Sequence, residues 1–382
     1  MDKKARTVVS FDTRTNAVLV SLLNVDYSRL YRLIKKFYAY IPSKLMPALA
    51  FPPLHTFLEI TYRCNLRCEF CQFLDILRKK TPESLREREL SLSEIKRIID
   101  QIPKHTLITI TGGEPFLRDD IVDIVEYACL KHKVHIISNA TLITKQLAKR
   151  LNKLGSGHIL RNGLFWMSIS LHGDKEIHDA LTGVCGSFQK TTNAIKNIQQ
   201  YRIHPYPKLN LQTVINKKNV TCLSRIVEIA YDLNVGVCNF IVQDVGVHFE
   251  RDKMLDKPIF MYPSTPPCIK EDLLTHSLKK AHDKALRLGI KLRYQLGGKE
   301  NIINYYTGKI NIENYVCYAP WSTIGISAYG DVGLCFSSSF GNIKKQKLKE
   351  IWNNKKLTNF RKLLIKQGAF PGCAGCCFLQ HK

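Results

Sequence analysis

Short apolar runs alternate with helical patterns from residue 57 to residue 242 of the chain. The helical segments are amphipathic; residues 93–102, for example, are led by Ser91, and Glu94 stands three residues after it in the spacing of a capping box. Six β/α repeats predict an α/β fold in which parallel strands curl into a partial (β/α)6 TIM-like barrel with helices outside it. The predicted strands are residues 57–61, 107–110, 134–138, 165–170, 209–215 and 235–242.

The pattern changes on both sides of the predicted barrel, which covers residues 56–243. Residues 1–55 form a basic amphipathic segment, and residues 244–314 read as a proline-rich connector with a helical run at 271–288. Residues 315–382 carry cysteines, glycine-marked turns between short strands and a basic helix at 347–365. This C-terminal region is predicted to be a second, cluster-binding module.

Aromatic and aliphatic residues recur at helical spacing in the N-terminal segment, while Arg29, Arg32, Lys35 and Lys36 occupy other faces. Two interpretations stay open. The apolar stripe packs on the body of the protein, or it docks on a partner or on an anionic membrane surface, with the four basic residues facing the headgroups. The stripe consists of Tyr27, Leu30, Tyr31, Ile34, Phe37, Tyr38 and Ile41.

Composition indicates a folded chain with ample core, because 45% of the 382 residues are hydrophobic and 23% are charged. The longest weakly charged apolar stretch, residues 45–58, contains prolines and is too short to span a bilayer. The first residues lack the apolar centre of a secretion signal. We therefore expect a cytoplasmic protein, either free or peripheral on the inner membrane face. Its net charge of +25 would attract polyanions of any class.

Three of the thirteen cysteines, Cys64, Cys68 and Cys71, lie in eight residues directly after the first predicted strand. In a chain without a secretion signal, clustered cysteines favour metal or cluster binding over disulfides. Soft thiolates suit an iron–sulfur cluster or zinc, and three of them would leave one iron of a cubane open. A zinc knuckle fits less well, because a structural zinc site needs a fourth ligand close by.

The Cys64-x3-Cys68-x2-Cys71 spacing resembles the signature of the radical S-adenosylmethionine (radical SAM) superfamily. Thr111-Gly-Gly-Glu-Pro115, after the second strand, is similar to the family's glycine-rich motif. The resemblance implies a [4Fe–4S] cluster with S-adenosylmethionine at its open iron, and a carboxylate that holds the cofactor's ammonium. The residues that it places around the cofactor are Gly112, Gly113, Glu114, Pro115, Ser138, Asn139, Ser168, Ser170 and, by strand order alone, Gln212.

The C-terminal cysteines resemble the SPASM/twitch type of extension, which carries auxiliary [4Fe–4S] clusters. Too few cysteines remain for two complete clusters, so the resemblance implies one, with Cys317, Cys335, Cys373 and Cys376 as ligands. Zinc is the alternative for the same thiolates. Cys377 and Cys268 are possible substitutes in this set. The isolated cysteines are expected to be small buried apolar residues: Cys129, Cys185, Cys222 and Cys238.

The resemblance implies reductive cleavage of S-adenosylmethionine to a 5′-deoxyadenosyl radical, which takes hydrogen from a substrate C–H bond. The basic surface suits an acidic electron donor such as flavodoxin or ferredoxin. A membrane lipid or other hydrophobic molecule is one candidate substrate, and a peptide or protein is another. A zinc-dependent nucleic-acid-binding protein is a remote alternative, because recognition motifs are absent.

His172 is either a catalytic base or a loop histidine held by hydrogen bonds.

Overall fold

The computed structural model describes residues 27–243, 267–335 and 339–382, and the side chains from residue 33 onward. The interpretation of residues 1–26 and of residues 244–266 lies outside this part of the chain, as do the side chains of Tyr27, Arg29, Leu30, Tyr31 and Arg32.

The barrel region alternates strands and helices as predicted. Its strands are β1 His55–Glu59, β2 Leu107–Thr111, β3 Lys133–Ser138, β4 Gly163–Ser170, β5 Lys208–Ile215, β6 Val237–Val242 and β7 Lys291–Tyr294. Its helices are α1 Tyr27–Leu45, α2 Leu74–Lys79, α3 Pro82–Arg86, α4 Leu92–Gln101, α5 Ile121–Lys131, α6 Lys145–Lys153, α7 Lys175–Thr182, α8 Ser187–Gln200, α9 Leu223–Asp232, α10 Glu271–Leu288 and α11 Lys299–Tyr306.

The C-terminal module has shorter elements. Its strands are β8 Tyr315–Val316, β9 Thr323–Ile326, β10 Asp331–Gly333, β11 Ser339–Asn342 and β12 Gln380–His381, and its helices are α12 Leu348–Trp352 and α13 Lys355–Gln367. The helix predicted at 347–365 is therefore two helices. The break lies at Asn354, whose side chain accepts a hydrogen bond from the Leu357 N–H and so caps α13.

One sheet has the strand order β11-β10-β9-β1-β2-β3-β4-β5-β6-β7. Strands β1 to β7 are parallel and follow each other in chain order. Phe57 and Glu59 of β1 line the same cavity as Ile241 and Val242 of β6, so the sheet curls round on itself. The predicted partial barrel is confirmed.

Strand β7 lies in the segment predicted to be a connector. It pairs in parallel with β6, and it follows α10, which confirms the predicted helix at 271–288. The strand alternates Lys291 and Arg293 with apolar residues and is mostly half-buried. It lacks the continuous apolar run that identified the other strands, and for this reason the sequence pattern missed it.

The C-terminal module continues the barrel sheet. Strand β9 pairs in parallel with β1, and β10 and β11 extend that edge in antiparallel fashion. The fully buried guanidinium of Arg361 donates to the carbonyl oxygens of Pro320, Trp352 and Ala48, which ties α13 to the chain after α1.

Among the described residues, no helix is long and apolar enough to cross a membrane.

Candidate active site and auxiliary cysteine site

The loop after β1 brings three thiols to one cavity. Cys64, Cys68 and Cys71 line this cavity, which has a volume of about 350 Å³ and is called the barrel cavity below. The backbone N–H of Leu66 donates to Cys64 Sγ and that of Phe73 donates to Cys71 Sγ, each at 3.4 Å. Burial raises the pKa of the Cys64 thiol to about 12 and raises that of Cys68 as well.

Gly112 and Gly113 lie directly against this cysteine loop. A Cβ atom at Gly112, where φ is +144°, would lie 2.2 Å from the Thr61 carbonyl oxygen, and one at Gly113 would lie 2.2 Å from that of Arg63. The N–H groups of Gly113 and Glu114 donate to these same two oxygens, each at 2.8 Å. Only glycine permits this approach, so the motif fixes the loop after β2 against the cysteines.

The Glu114 carboxylate is buried, with 1% of the residue exposed, and still borders the barrel cavity. It accepts hydrogen bonds from the Ser138 hydroxyl and the Asn139 N–H, both at 2.8 Å, and from the Phe116 N–H at 3.1 Å. Burial raises the pKa of Glu114 to about 7, against the effect of these bonds. The side chain therefore joins the loop after β2 to the end of β3.

The structure brings together most residues expected around the cofactor, but leaves out Pro115 and Ser168. Pro115 begins a short 3₁₀ turn beside the cavity. Ser168 lies two residues before Ser170 on the same face of β4, and its Oγ is 2.8 Å from His135 Nε2, within the barrel. The expected residues that line the barrel cavity are Gly112, Gly113, Glu114, Ser138, Asn139, Ser170 and Gln212.

Two histidines border the barrel cavity with stacked rings, 5.7 Å apart and 13° from parallel. His172 Nδ1 accepts from the Val214 N–H, and His178 Nδ1 accepts from the His172 N–H. Each ring thus carries its proton on Nε2, and His178 Nε2 is buried without a hydrogen-bond partner among the described residues. Burial holds the pKa of His172 well below 6.5 and lowers that of His178 to about 4. His172 is placed as a neutral donor rather than as a base.

The barrel cavity also reaches residues that sequence reasoning missed. Glu59 lines it two positions after Phe57, on the inward face of β1, and the strand alternation could have identified this residue. Gln295 accepts from the Val242 N–H at 2.9 Å and donates to the Gly375 carbonyl oxygen at 2.7 Å. This amide joins β6 to the C-terminal cysteine loop across 80 residues, which no local pattern indicates.

A second site lies in the C-terminal module. Its four expected thiols line one small cavity with apolar walls that include Phe360 and Phe370. Burial and the neighbouring thiols raise the pKa values of the Cys317 and Cys335 thiols. This auxiliary cysteine site consists of Cys317, Cys335, Cys373 and Cys376.

The remaining cysteines differ in exposure and in the cavity that they line. Cys377 is exposed and lines the barrel cavity, although it directly follows Cys376. Cys268 is also exposed. The expectation of burial is confirmed for Cys129, Cys222 and Cys238, but it is wrong for Cys185, which lies in the exposed turn between α7 and α8.

Two family models match the chain: the radical SAM superfamily over residues 58–230, and SPASM, an iron–sulfur cluster-binding domain, over residues 317–377. The chain belongs to the radical SAM superfamily. Its C-terminal module is a SPASM domain, so zinc and the nucleic-acid-binding alternative are not supported.

This radical SAM protein is similar to Fe-coproporphyrin III synthase of Methanosarcina barkeri, with 28% identity over 230 residues, which are 59% of this chain and 52% of the relative. It therefore matches about half the length of that relative. It is 26% identical to the subtilosin biosynthesis protein AlbA of Bacillus subtilis over 351 residues, 86% of this chain and 68% of AlbA. The fold is similar to Streptococcus suis SuiB bound to the precursor peptide SuiA, with a TM-score of 0.60, 18% identity and coverage of 93% and 77%.

The residues present fit the groups that these domains bind, namely a [4Fe–4S] cluster with S-adenosylmethionine and an auxiliary iron–sulfur cluster. At the barrel cavity, the cysteine loop supplies three thiols and two N–H donors to sulfur. Gly112 and Gly113 pack against this loop and line the same cavity, so their backbone borders the space that a ligand would occupy. At the auxiliary site, four thiols share an apolar cavity, as a fully ligated cluster needs.

Proposed function

We propose that this radical SAM protein removes a hydrogen atom from a substrate C–H bond inside the barrel cavity. In this proposal Cys64, Cys68 and Cys71 hold the cluster. The observation that carries the proposal is that these thiols and Glu114 border one cavity. The cluster and S-adenosylmethionine, when bound, supply the one-electron chemistry, and the protein supplies binding, orientation and exclusion of water.

Different residues around the cavity would bind the cofactor, orient it and exclude water. Glu114 has one carboxylate lone pair beyond its three hydrogen bonds, which can receive the ammonium of the methionine moiety. Among the described residues that line the cavity there is no Lys or Arg, so neutral donors must receive the cofactor's carboxylate and hydroxyl groups. Ser170, Gln212 and His172 are such donors. Phe70 and Phe73 of the cysteine loop help to exclude water.

Cys317, Cys335, Cys373 and Cys376 hold one auxiliary [4Fe–4S] cluster in this proposal. The support is that the four thiols share one cavity, while Cys377 borders the other. The auxiliary cluster would exchange electrons with the substrate or with an acidic donor such as flavodoxin or ferredoxin. The net charge of +25 favours encounter with such a donor.

The proposed substrate is a hydrophobic molecule that reaches the barrel from an anionic membrane surface. The support is an apolar surface on α1 and the chain after it, called the outer stripe below. Phe37 is 65% exposed and Leu45 is 75% exposed. Isolated exposed apolar residues are ordinary, but a contiguous patch marks an interaction site. The outer stripe consists of Leu33, Ile34, Phe37, Tyr40, Ile41, Leu45, Met46, Leu49 and Phe51.

Charge complementarity supports an anionic surface as the partner. Residues 27–58 contain five Lys and Arg residues and no Asp or Glu. Lys44 is exposed within the stripe, and Lys36 lies at its flank. Two expectations change. Tyr38 packs on Phe51 and donates to the Pro52 carbonyl oxygen instead of joining the stripe, and Lys35 points inward to His55 rather than outward to headgroups.

A peptide substrate is the second candidate. It is favoured by the similarity to AlbA, a biosynthesis protein of the bacteriocin subtilosin, over 86% of this chain. In that case the outer stripe would bind the apolar part of a precursor peptide, as an amphipathic segment lies in an apolar groove.

The two candidates are separated by deuterium transfer. Anaerobically reconstituted protein is incubated with S-adenosylmethionine and a reductant, together with fully deuterated lipid vesicles or with a deuterated peptide extract. Mass spectrometry then follows deuterium in 5′-deoxyadenosine. Transfer from the vesicles is the expected result, and transfer from peptides alone favours the second candidate. Absence of 5′-deoxyadenosine in every mixture would overturn the proposed reaction itself; the C64A variant is the blank.

A further inference from the structure

Helix α1 packs against the start of the SPASM domain. It contacts the turn at Ala319–Trp321, which begins two residues after Cys317, and the rings of Tyr40 and Tyr318 meet edge to face at 6.0 Å. Further along, Trp352 Nε1 donates to the Phe51 carbonyl oxygen at 2.8 Å. The N-terminal helix therefore packs on a turn whose residues Ala319 and Pro320 form part of the wall of the auxiliary cysteine site.

Lys35 is the basic residue that α1 turns toward this wall. Its side chain is partly buried, and Nζ lies 3.3 Å from His55 Nδ1, at the start of β1. The thiols that interact with its charge are those of Cys317 and Cys377. His55 pairs with Thr323 of β9, so Lys35 lies where the start of β1 meets the start of the SPASM domain.

A directed chain of hydrogen bonds holds the Lys35 ammonium in this position. Lysine can only donate, so His55 Nδ1 accepts and His55 Nε2–H donates to Thr109 Oγ1 at 2.8 Å. The Thr109 hydroxyl then donates to His135 Nδ1 at 3.1 Å, and His135 Nε2–H donates to Ser168 Oγ at 2.8 Å. Because Lys35 can only donate, it sets the direction of the whole chain and thereby the tautomers of His55 and His135.

We propose that Lys35 is a positioning residue for the auxiliary cluster. Its ammonium, which His55 holds near Cys317, raises the reduction potential of the cluster. This inference rests on the auxiliary cluster of the proposed function. It also gives a role to the polar side chains of Thr109, His135 and Ser168, which do not line the barrel cavity.

The physical reason is electrostatic. Reduction adds one negative charge to a cluster, and a nearby cation stabilises that charge most where the surroundings exclude water. No acidic residue between 27 and 58 offsets the Lys35 charge on its own segment. Burial lowers the pKa of Lys35 to about 8, while the thiols act in the opposite direction, so the ammonium form still dominates at pH 7.

The test is a redox titration of the reconstituted full chain, followed by electron paramagnetic resonance. The C64A/C68A/C71A background removes the signal of the barrel cluster, so the auxiliary signal is read alone. In this background K35M should lower the equilibrium constant for one-electron reduction about tenfold, which is 59 mV. K35R, which keeps the charge, should stay within about threefold of the parent.

The matched control is K36M, which removes the same charge from the next residue of α1. It should change the equilibrium constant less than about threefold, because the hydrogen bond to His55 is made by Lys35. Equal shifts in K35M and K36M, or no shift in K35M, would overturn the inference. If K35M does not retain the cluster, K35Q is measured against the same limits. A parent without any auxiliary signal would overturn the proposed cluster itself, which is a distinguishable failure.

Discussion

The Glu114 carboxylate accepts a hydrogen bond from the backbone N–H of Asn139 at 2.8 Å, which links the loops after β2 and β3. A carboxylate that only recognised a cofactor would not need this bond. In the proposed function Glu114 therefore has two tasks, to hold the cavity wall together and to present negative charge to a ligand. Its burial makes the second task dependent on pH, because burial disfavours the charged form of the carboxylate.

We expect the affinity for S-adenosylmethionine to rise with pH and to level off above about 7. Burial raises the pKa of Glu114 to about 7, so below that pH the free site is protonated and must lose a proton to bind an ammonium. Affinity should therefore fall by up to about tenfold for each pH unit below 7. Isothermal titration calorimetry of the reconstituted protein in buffers of different ionisation enthalpy measures both affinity and proton release.

The matched variant is E114Q, which keeps the size of the side chain and removes its charge. Its affinity at pH 8 should be about ten- to a hundredfold weaker, as expected for loss of a charge-assisted hydrogen bond, and should not depend on pH. An E114Q protein that binds as the parent does would show that Glu114 lies outside the cofactor site.

The three thiols at the barrel cavity should account for half of the bound iron. By ligand counting, the reconstituted protein should hold about eight irons, and C64A/C68A/C71A about four, with no reductive cleavage of S-adenosylmethionine. Iron analysis and 5′-deoxyadenosine formation measure the two effects. C129A, which removes a buried thiol on α5 that lines neither cavity, should change neither. Two clusters in the triple variant would contradict the assignment.

Sequence spacing located the first site more completely than the second. Cys64, Cys68, Cys71 and the glycines follow two neighbouring parallel strands, so the strand order alone brings them together. Cys376 and Cys377 are adjacent in the chain but line different cavities, which depends on the path of the chain between Pro371 and His381. Spacing cannot distinguish them. Ser168 and Ser170 share one strand face, and only the packing of His135 decides which of them reaches the cavity.

Adjacent cysteines should therefore respond differently to substitution. C376A should lose auxiliary iron, since Cys376 lines the auxiliary cysteine site. C377A should keep all of its iron, because its side chain borders the barrel cavity instead. Iron content and electron paramagnetic resonance of the two reduced variants give the comparison. Loss of auxiliary iron in C377A would place this residue in the ligand set.

His172 should act as a neutral hydrogen-bond donor. Its pKa is held well below 6.5, and Nδ1 already accepts from the Val214 N–H, so a protonated form or a free base is not available near neutral pH. The rate of 5′-deoxyadenosine formation should show no inflection from this residue between pH 6 and pH 8. H172Q, which keeps an N–H donor, should retain more activity than H172A. An inflection that H172Q abolishes would instead identify a base.

The outer stripe should bind anionic vesicles in a salt-sensitive manner. Each basic residue near an anionic surface contributes about 1 kcal/mol, and exposed apolar side chains add to this by burial in the headgroup region. The triple variant I34S/F37S/I41S should lose most co-sedimentation at low salt with little change in stability, because all three side chains are exposed. A deletion of α1 is less informative, since it also removes Lys35.

The control for this test is L130S/L160S/L286S, which removes three exposed leucines from other surfaces of the protein. It has the same loss of exposed apolar groups, so a nonspecific hydrophobic effect would weaken binding of both triple variants equally. The intact protein should bind vesicles of anionic lipid and not those of neutral lipid, and should dissociate as the salt concentration rises and screens the headgroups. If the intact protein ignores anionic vesicles at low salt, or if I34S/F37S/I41S binds as well as the control, the outer stripe is not a membrane surface. The peptide substrate would then be the better account of the exposed helix.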